Sequence, residues 1–159
     1  MGKQMKTNAM RILDRAKISY EPVYYELGDT EFSGRVVSEL TGIEEERSFK
    51  TLCAKGDKFG IMVFVVPVSG ELDLKAAAIA AGDKRVEMAP TKDLIALTGY
   101  MRGCVSPVGM KKQYPTFIDE SAGGFDTIAI SAGAKGCSVL INPNTLLEFL
   151  QAKSCALLK

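Results

Sequence analysis

The sequence predicts an α+β fold in which a mixed, mostly antiparallel sheet is surrounded by helices. Three observations carry this. Segments of strand character do not alternate strictly with helical ones, so a purely parallel βαβ arrangement is excluded. Several strand pairs are separated only by short glycine-rich turns, the mark of hairpins. The chain is 159 residues long, nearly half of them apolar and a quarter charged, the size and balance of one soluble domain spanning residues 1–159.

The elements follow in order. Residues 5–17, MKTNAMRILDRAK, place Ala9, Leu13 and Ala16 at helical spacing and predict an amphipathic helix. SYEPVYYEL is rich in tyrosine and valine and predicts a strand, with Pro22 suited to a sheet edge. GDTEFSGRVVSELTG predicts a helix stopped by Gly42. SFKTLCAK and FGIMVFVVP flank a GDK turn and predict a hairpin; its second strand is apolar at nearly every position and is expected in the middle of the sheet. GELDLKAAAIAAGDK predicts a helix capped by Asp73 and ended at Gly82. KRVEMA is a short strand and PTKDLIALTG a short helix. Residues 100–115 are a long connection punctuated by glycine, proline and serine. TFIDES, DTIAISAG and CSVLIN are three further strands, and NPNTLLEFLQAK closes with a helix capped by Asn142 or Asn144.

Composition then limits the chemistry. There is no histidine, which excludes a Ser-His-Asp triad, a Cys-His dyad and a His-ligated metal together. The four cysteines, at 53, 104, 137 and 155, form no C-x-x-C pair, so neither zinc nor a disulfide framework is expected. Cys53 and Cys137 fit as small buried apolar residues and Cys155 as an incidental thiol. No metal or cofactor is implied. With 20 basic and 19 acidic residues, nothing global marks a DNA binder, though a local basic face remains compatible with weak, salt-sensitive nucleic-acid contact. No apolar run reaches the roughly 20 residues needed to span a membrane. The opening residues are too polar for a secretory signal, and Lys6 stands where a myristoylation motif requires Ser or Thr, so a cytoplasmic protein is expected.

Within this frame a few residues stand out. Lys50 opens an apolar strand. It either snorkels to water or donates to a carbonyl or phosphate oxygen in a cleft at the sheet end, since an unpaired buried ammonium is costly. SAGAKGC, residues 131–137, joins two strands through small residues that let a ligand approach the backbone, although a plain glycine hairpin explains it equally. TGYMRGCVSPVG, residues 98–109, joins flexible backbone to Ser106, and loops of this length are disproportionately functional. Tyr25 and Phe32 are aromatic residues near element ends that serve either the core or base stacking.

The motifs FKTL, VPVSGELDLKAAA, GDKRVEMA, TGYMRGCVSPVGMKKQYPTFID and ISAGAKG occur in this order between Phe49 and Gly136, within a likeness that covers roughly residues 5–150. Together they resemble the YbaK family of free-standing aminoacyl-tRNA deacylases, which is similar to the editing domain inserted in bacterial prolyl-tRNA synthetases. The resemblance implies a barrel-like sheet with surrounding helices, and an enzyme that clears mischarged tRNA(Pro), chiefly Cys-tRNA(Pro), with Ala-tRNA(Pro) the substrate of a related branch. It places the principal catalytic residue at Lys50, pocket residues at Tyr25, Phe32 and Thr51, a backbone-lined floor at Gly103 with Ser106 beyond it, and the hairpin serine at Ser131 near Gly133. Ser138 departs from relatives that carry aspartate after KG. The resemblance also implies that the substrate's own thiol attacks its ester, so no protein nucleophile is required. Arg102, Lys111 and Lys112 are candidates for tRNA phosphate contact, and prolyl-tRNA synthetase is a candidate partner. A hydrolytic Ala-tRNA(Pro) editor using an ordered water and a non-catalytic tRNA- or synthetase-binding module are the alternative expectations.

Overall fold

The structure, a computed structural model, describes residues 6–26 and 33–159. The end of the SYEPVYYEL segment, the start of the helix expected from residue 28, and Phe32 lie outside the described residues.

Helix α1 (Asn8–Arg15) is capped by the Thr7 hydroxyl, which accepts from the Met10 N–H, and buries Ala9, Met10 and Leu13. Strand β1 (Glu21–Tyr24) follows, and α2 (Gly34–Thr41) ends at Gly42. Strands β2 (Phe49–Gly56) and β3 (Gly60–Pro67) form the expected hairpin, paired from Phe49↔Pro67 to Gly56↔Gly60. Asp73 caps α3 (Leu74–Ala81) by accepting from the N–H groups of Lys75 and Ala76. Then come β4 (Val86–Met88), α4 (Leu94–Thr98), β5 (Thr116–Asp119), β6 (Ile128–Ala134), β7 (Cys137–Ile141), α5 (Pro143–Leu150) and β8 (Lys153–Cys155). Asn142 is the cap of α5. None of the described helices is long and apolar enough to cross a membrane.

The strands make two sheets, ordered β1-β7-β6 and β4-β2-β3-β5-β8. Four of their six ladders are antiparallel; β5 lies parallel to both β3 and β8. β3 is central, as its apolar run predicts. Its odd residues Val63 and Val65 face a core shared with α1, β6, β7 and α5. Its even residues Met62, Phe64 and Val66 face a second core built with the alanines of α3. Phe64 and its register partner Phe117 stack at 5.2 Å between ring centroids in that second core.

The two sheets meet at one place. Ser48 bridges Ala129 in parallel fashion, and the Ala129 N–H donates to Arg47 O at 3.0 Å. Arg47 reinforces the joint from its side chain, donating to Thr127 O at 2.9 Å and to Thr127 Oγ1 at 2.5 Å. Past this joint no ladder pairs the two sheets among the described residues, so they form no closed barrel. The site lies in that gap.

Candidate functional site

The edge of β2 explains where the cavity lies. Backbone groups along a strand point alternately to its two neighbours. The Arg47 carbonyl bonds outward to Ala129, and the Cys53 carbonyl bonds outward to the Ala89 N–H at 3.0 Å. β4 pairs with β2 only from Ala54 to Gly56. Between these two attachments, the outward-facing backbone at Thr51 has no neighbouring strand. A cavity of about 700 Å³ fills that gap.

Lys50 and Thr51 point to opposite faces of β2, yet both line the cavity, because the free strand edge runs through it. Lys50 is half-buried and has no ion-pair partner among the described residues. The Thr51 hydroxyl is buried and has no hydrogen-bond partner among the described residues. Cys53, two residues along on the Thr51 face, completes this wall; burial pushes its thiol pKa up and keeps it protonated. α2 closes one side through Val37, and Gly34 lets the helix pack directly on Val68, where any Cβ would collide with the valine side chain.

The opposite wall comes from the loop 99–109 and the β6–β7 hairpin. Gly103 takes φ +84° in a turn closed by the Cys104 N–H to Met101 O at 2.9 Å, a conformation natural to glycine. Ser131 Oγ donates to Cys104 O at 3.0 Å and accepts from the Gly133 N–H at 3.1 Å. Tyr100 anchors the loop a second time: its hydroxyl donates to Val108 O at 2.5 Å, and its ring lies where a Cβ on Gly133 would come within 2.6 Å. Tyr25 follows β1, donates its N–H to Gly136 O at 3.0 Å and lines the cavity with Ser138. Burial raises the pKa of the Tyr25 phenol, opposed in part by a hydrogen bond with Ser138.

Six of the residues expected from the sequence therefore line one cavity: Tyr25, Lys50, Thr51, Arg102, Gly103 and Ser131. Gly133 stands behind it, supporting Ser131. Ser106 is fully buried, and its hydroxyl accepts from the Val108 N–H at 3.2 Å, so it shapes the loop from within. Lys111 and Lys112 are exposed outside the cavity. Sequence reasoning missed Ser48, Cys53 and Leu94 as lining residues and Tyr100 as the loop anchor. Strand alternation from Thr51 identifies Cys53 in retrospect; the others depend on long-range packing that no local pattern encodes.

The described lining carries two charges, Lys50 and Arg102, both positive, beside hydroxyls and apolar walls. Such a cavity suits an anionic or strongly polarised ligand with a small apolar portion. Residues 33–149 match the aminoacyl-tRNA editing domain family, and the chain belongs to that family. It is 45% identical over 145 residues to "Putative Cys-tRNA(Pro)/Cys-tRNA(Cys) deacylase EbsC" of Enterococcus faecalis, covering 91% of this chain and 88% of that one. Among solved structures, the fold matches a protein described as a "putative trans-editing enzyme for prolyl tRNA synthetase" with TM-score 0.81 at 22% identity, covering 98% of this chain and 99% of that one. A scaffold protein used for computational epitope grafting matches with TM-score 0.84 at 24% identity, covering 98% of this chain and 99% of that one. At these identities the two structures speak for the fold alone.

Proposed function

We propose that this protein is a trans-editing deacylase of mischarged tRNA(Pro), with Cys-tRNA(Pro) as its main substrate, acting in the cytoplasm as one editing domain on tRNA released by prolyl-tRNA synthetase. The observation that carries the reading is the unpaired Lys50 ammonium in a cavity that also holds Gly103, Ser131 and the orphan Thr51 hydroxyl. Membership of the editing family and the 45% identity to the Enterococcus protein support the substrate class.

The chemistry follows from what the cavity offers. The aminoacyl ester enters with its carbonyl oxygen toward Lys50, whose ammonium donates to the oxyanion that develops on attack. The nucleophile is the thiol of the substrate's own cysteine, held against the carbonyl by the small-residue walls. Its sulfur bonds to the carbonyl carbon, the ribose oxygen departs and takes up the thiol proton, and a cyclic thioester leaves with free tRNA. Cys53 does not compete, because its buried thiol stays protonated.

Single-turnover deacylation of Cys-, Ser- and Ala-tRNA(Pro) tests the proposal. Cys-tRNA(Pro) should be cleaved fastest and the Ser analogue far more slowly. Lys50→Ala should lower the rate by about 100-fold, the usual cost of an oxyanion donor. Equal rates for the Cys and Ser substrates would replace thiol attack with attack by water. An unchanged rate in Lys50→Ala would falsify the role given to the lysine.

A further inference from the structure

Most exposed cationic groups of the described residues make no ion pair, and five of them are joined by the packing of one loop on α1. Among the described residues, ion pairs occupy Lys6, Arg35, Arg85 and Lys159. Arg11, Arg15, Arg102, Lys111 and Lys112 are all exposed and none of them is paired. The last three lie in a stretch with no carboxylate, since no Asp or Glu occurs between Asp93 and Asp119.

Packing joins the loop that carries three of these groups to α1, which carries the other two. Arg102 stands at the cavity. Lys111 donates its N–H to Thr98 O and lays its side chain over Gly99, with Cγ 3.4 Å from where a Cβ would be. Gly109 lies against α1, its would-be Cβ 3.0 Å from Ile12 Cδ1 and 3.4 Å from Asn8 Nδ2. At 100° per residue, Asn8, Arg11, Ile12 and Arg15 share roughly 100° of the helix circumference. The two residues of α1 that touch the loop therefore lie beside its two unpaired arginines, on one side of them. The one carboxylate on the helix, Asp14, is held by Lys6 at 2.6 Å.

We propose that Arg11 and Arg15 extend the tRNA contact onto α1, so that the duplex stem of the substrate lies along a track from Arg102 through Lys111 and Lys112 to α1. This rests on the editing reading above. On this reading an RNA whose aminoacyl end occupies the cavity leaves it past Arg102, one of the lining residues, and its backbone carries one phosphate per nucleotide. Arg11 and Arg15 are one turn apart on α1, about 6 Å along its axis, close to the spacing of successive phosphates. Exposed arginines with no acidic partner suit repeated phosphates, which hold the stem in position without reading its sequence.

The test separates stem binding from catalysis. Binding of uncharged tRNA(Pro) is measured across a salt series for the wild type, for Arg11→Gln/Arg15→Gln and for Arg11→Lys/Arg15→Lys. Single-turnover cleavage is measured on Cys-tRNA(Pro) and on a cysteinylated CCA trinucleotide, which carries no duplex stem. The Gln pair should weaken tRNA binding on the order of 10-fold at low salt and reduce the salt slope by about two units. The Lys pair should restore most of the binding, and the trinucleotide should distinguish neither variant from wild type. Wild-type affinity and slope in the Gln pair would overturn the proposal, as would equal losses on both substrates. Absence of cleavage by the wild type would defeat the deacylase reading instead, while the binding series still decides the role of α1.

Discussion

Thr51 is only 9% exposed, yet its hydroxyl has no hydrogen-bond partner among the described residues. Leaving such a group buried and unpaired costs about 1–3 kcal/mol, a penalty that substrate relieves if one of its polar atoms bonds there. Thr51→Val keeps the shape and removes the hydroxyl, so it should raise the unfolding free energy by about 1 kcal/mol while slowing single-turnover deacylation about 10-fold or more. Thr51→Ser should retain most of the activity. A valine variant that is stabilised and fully active would show that the hydroxyl has no partner in the substrate. Lys50 was legible in the sequence as the misfit of its strand, a charge at the head of an apolar run. By residue type Thr51 gave no comparable signal, because a threonine in a strand is ordinary; the family resemblance alone pointed to it, and its unpaired hydroxyl shows only in the folded chain. Ser106 shows the reverse: a polar residue in a candidate loop, it turns inward and holds the Val108 N–H.

At the scale of elements, helices with distinct caps and the apolar hairpin were readable, since capping and periodicity are local. The carboxyl-terminal strand was not. The sequence predicts a helix through Lys153, whereas α5 stops at Leu150 and Gln151 turns the chain with φ +54°. Lys153–Cys155 then pairs with β5, a partner more than thirty residues away that no local pattern announces. Asp119 secures this segment. One carboxylate oxygen accepts from the Leu157 N–H at 2.9 Å, and the other accepts from the N–H and hydroxyl of Ser121. Leu157 is fully buried in the core that contains α3 and Phe64. Asp119→Ala should cost about 2–3 kcal/mol through the lost bonds to a charged acceptor, and Leu157→Ala about 2–5 kcal/mol through the cavity it leaves. Urea unfolding reads both. A loss under 0.5 kcal/mol in each would mean that the terminal segment is detached in solution.

Across the whole molecule, the core between the two sheets carries a titratable group whose response reports on their packing. Cys137 opens β7, is 4% exposed and belongs to the core shared by β3, β6, β7 and α1. Its placement could be anticipated as a small apolar residue in a strand, but the partition of strands into two sheets could not, because it depends on a single bridge at Ser48. Burial pushes the Cys137 thiol up to about 11 from an ordinary value of 9.0. The folded state therefore favours the protonated form more than the unfolded chain does. Its contribution is complete below pH 9 and is lost as pH rises towards 11, where the unfolded chain has released a proton that the folded protein still holds. Unfolding free energies measured in reductant at pH 8, 9, 10 and 11 should fall across the upper part of this window. Cys137→Ala begins less stable because it leaves a void, but it lacks the titration, so its curve should converge on that of the wild type as pH rises. Parallel curves from pH 8 to 11 would mean that the thiol meets water, and that the sheets do not close over Cys137.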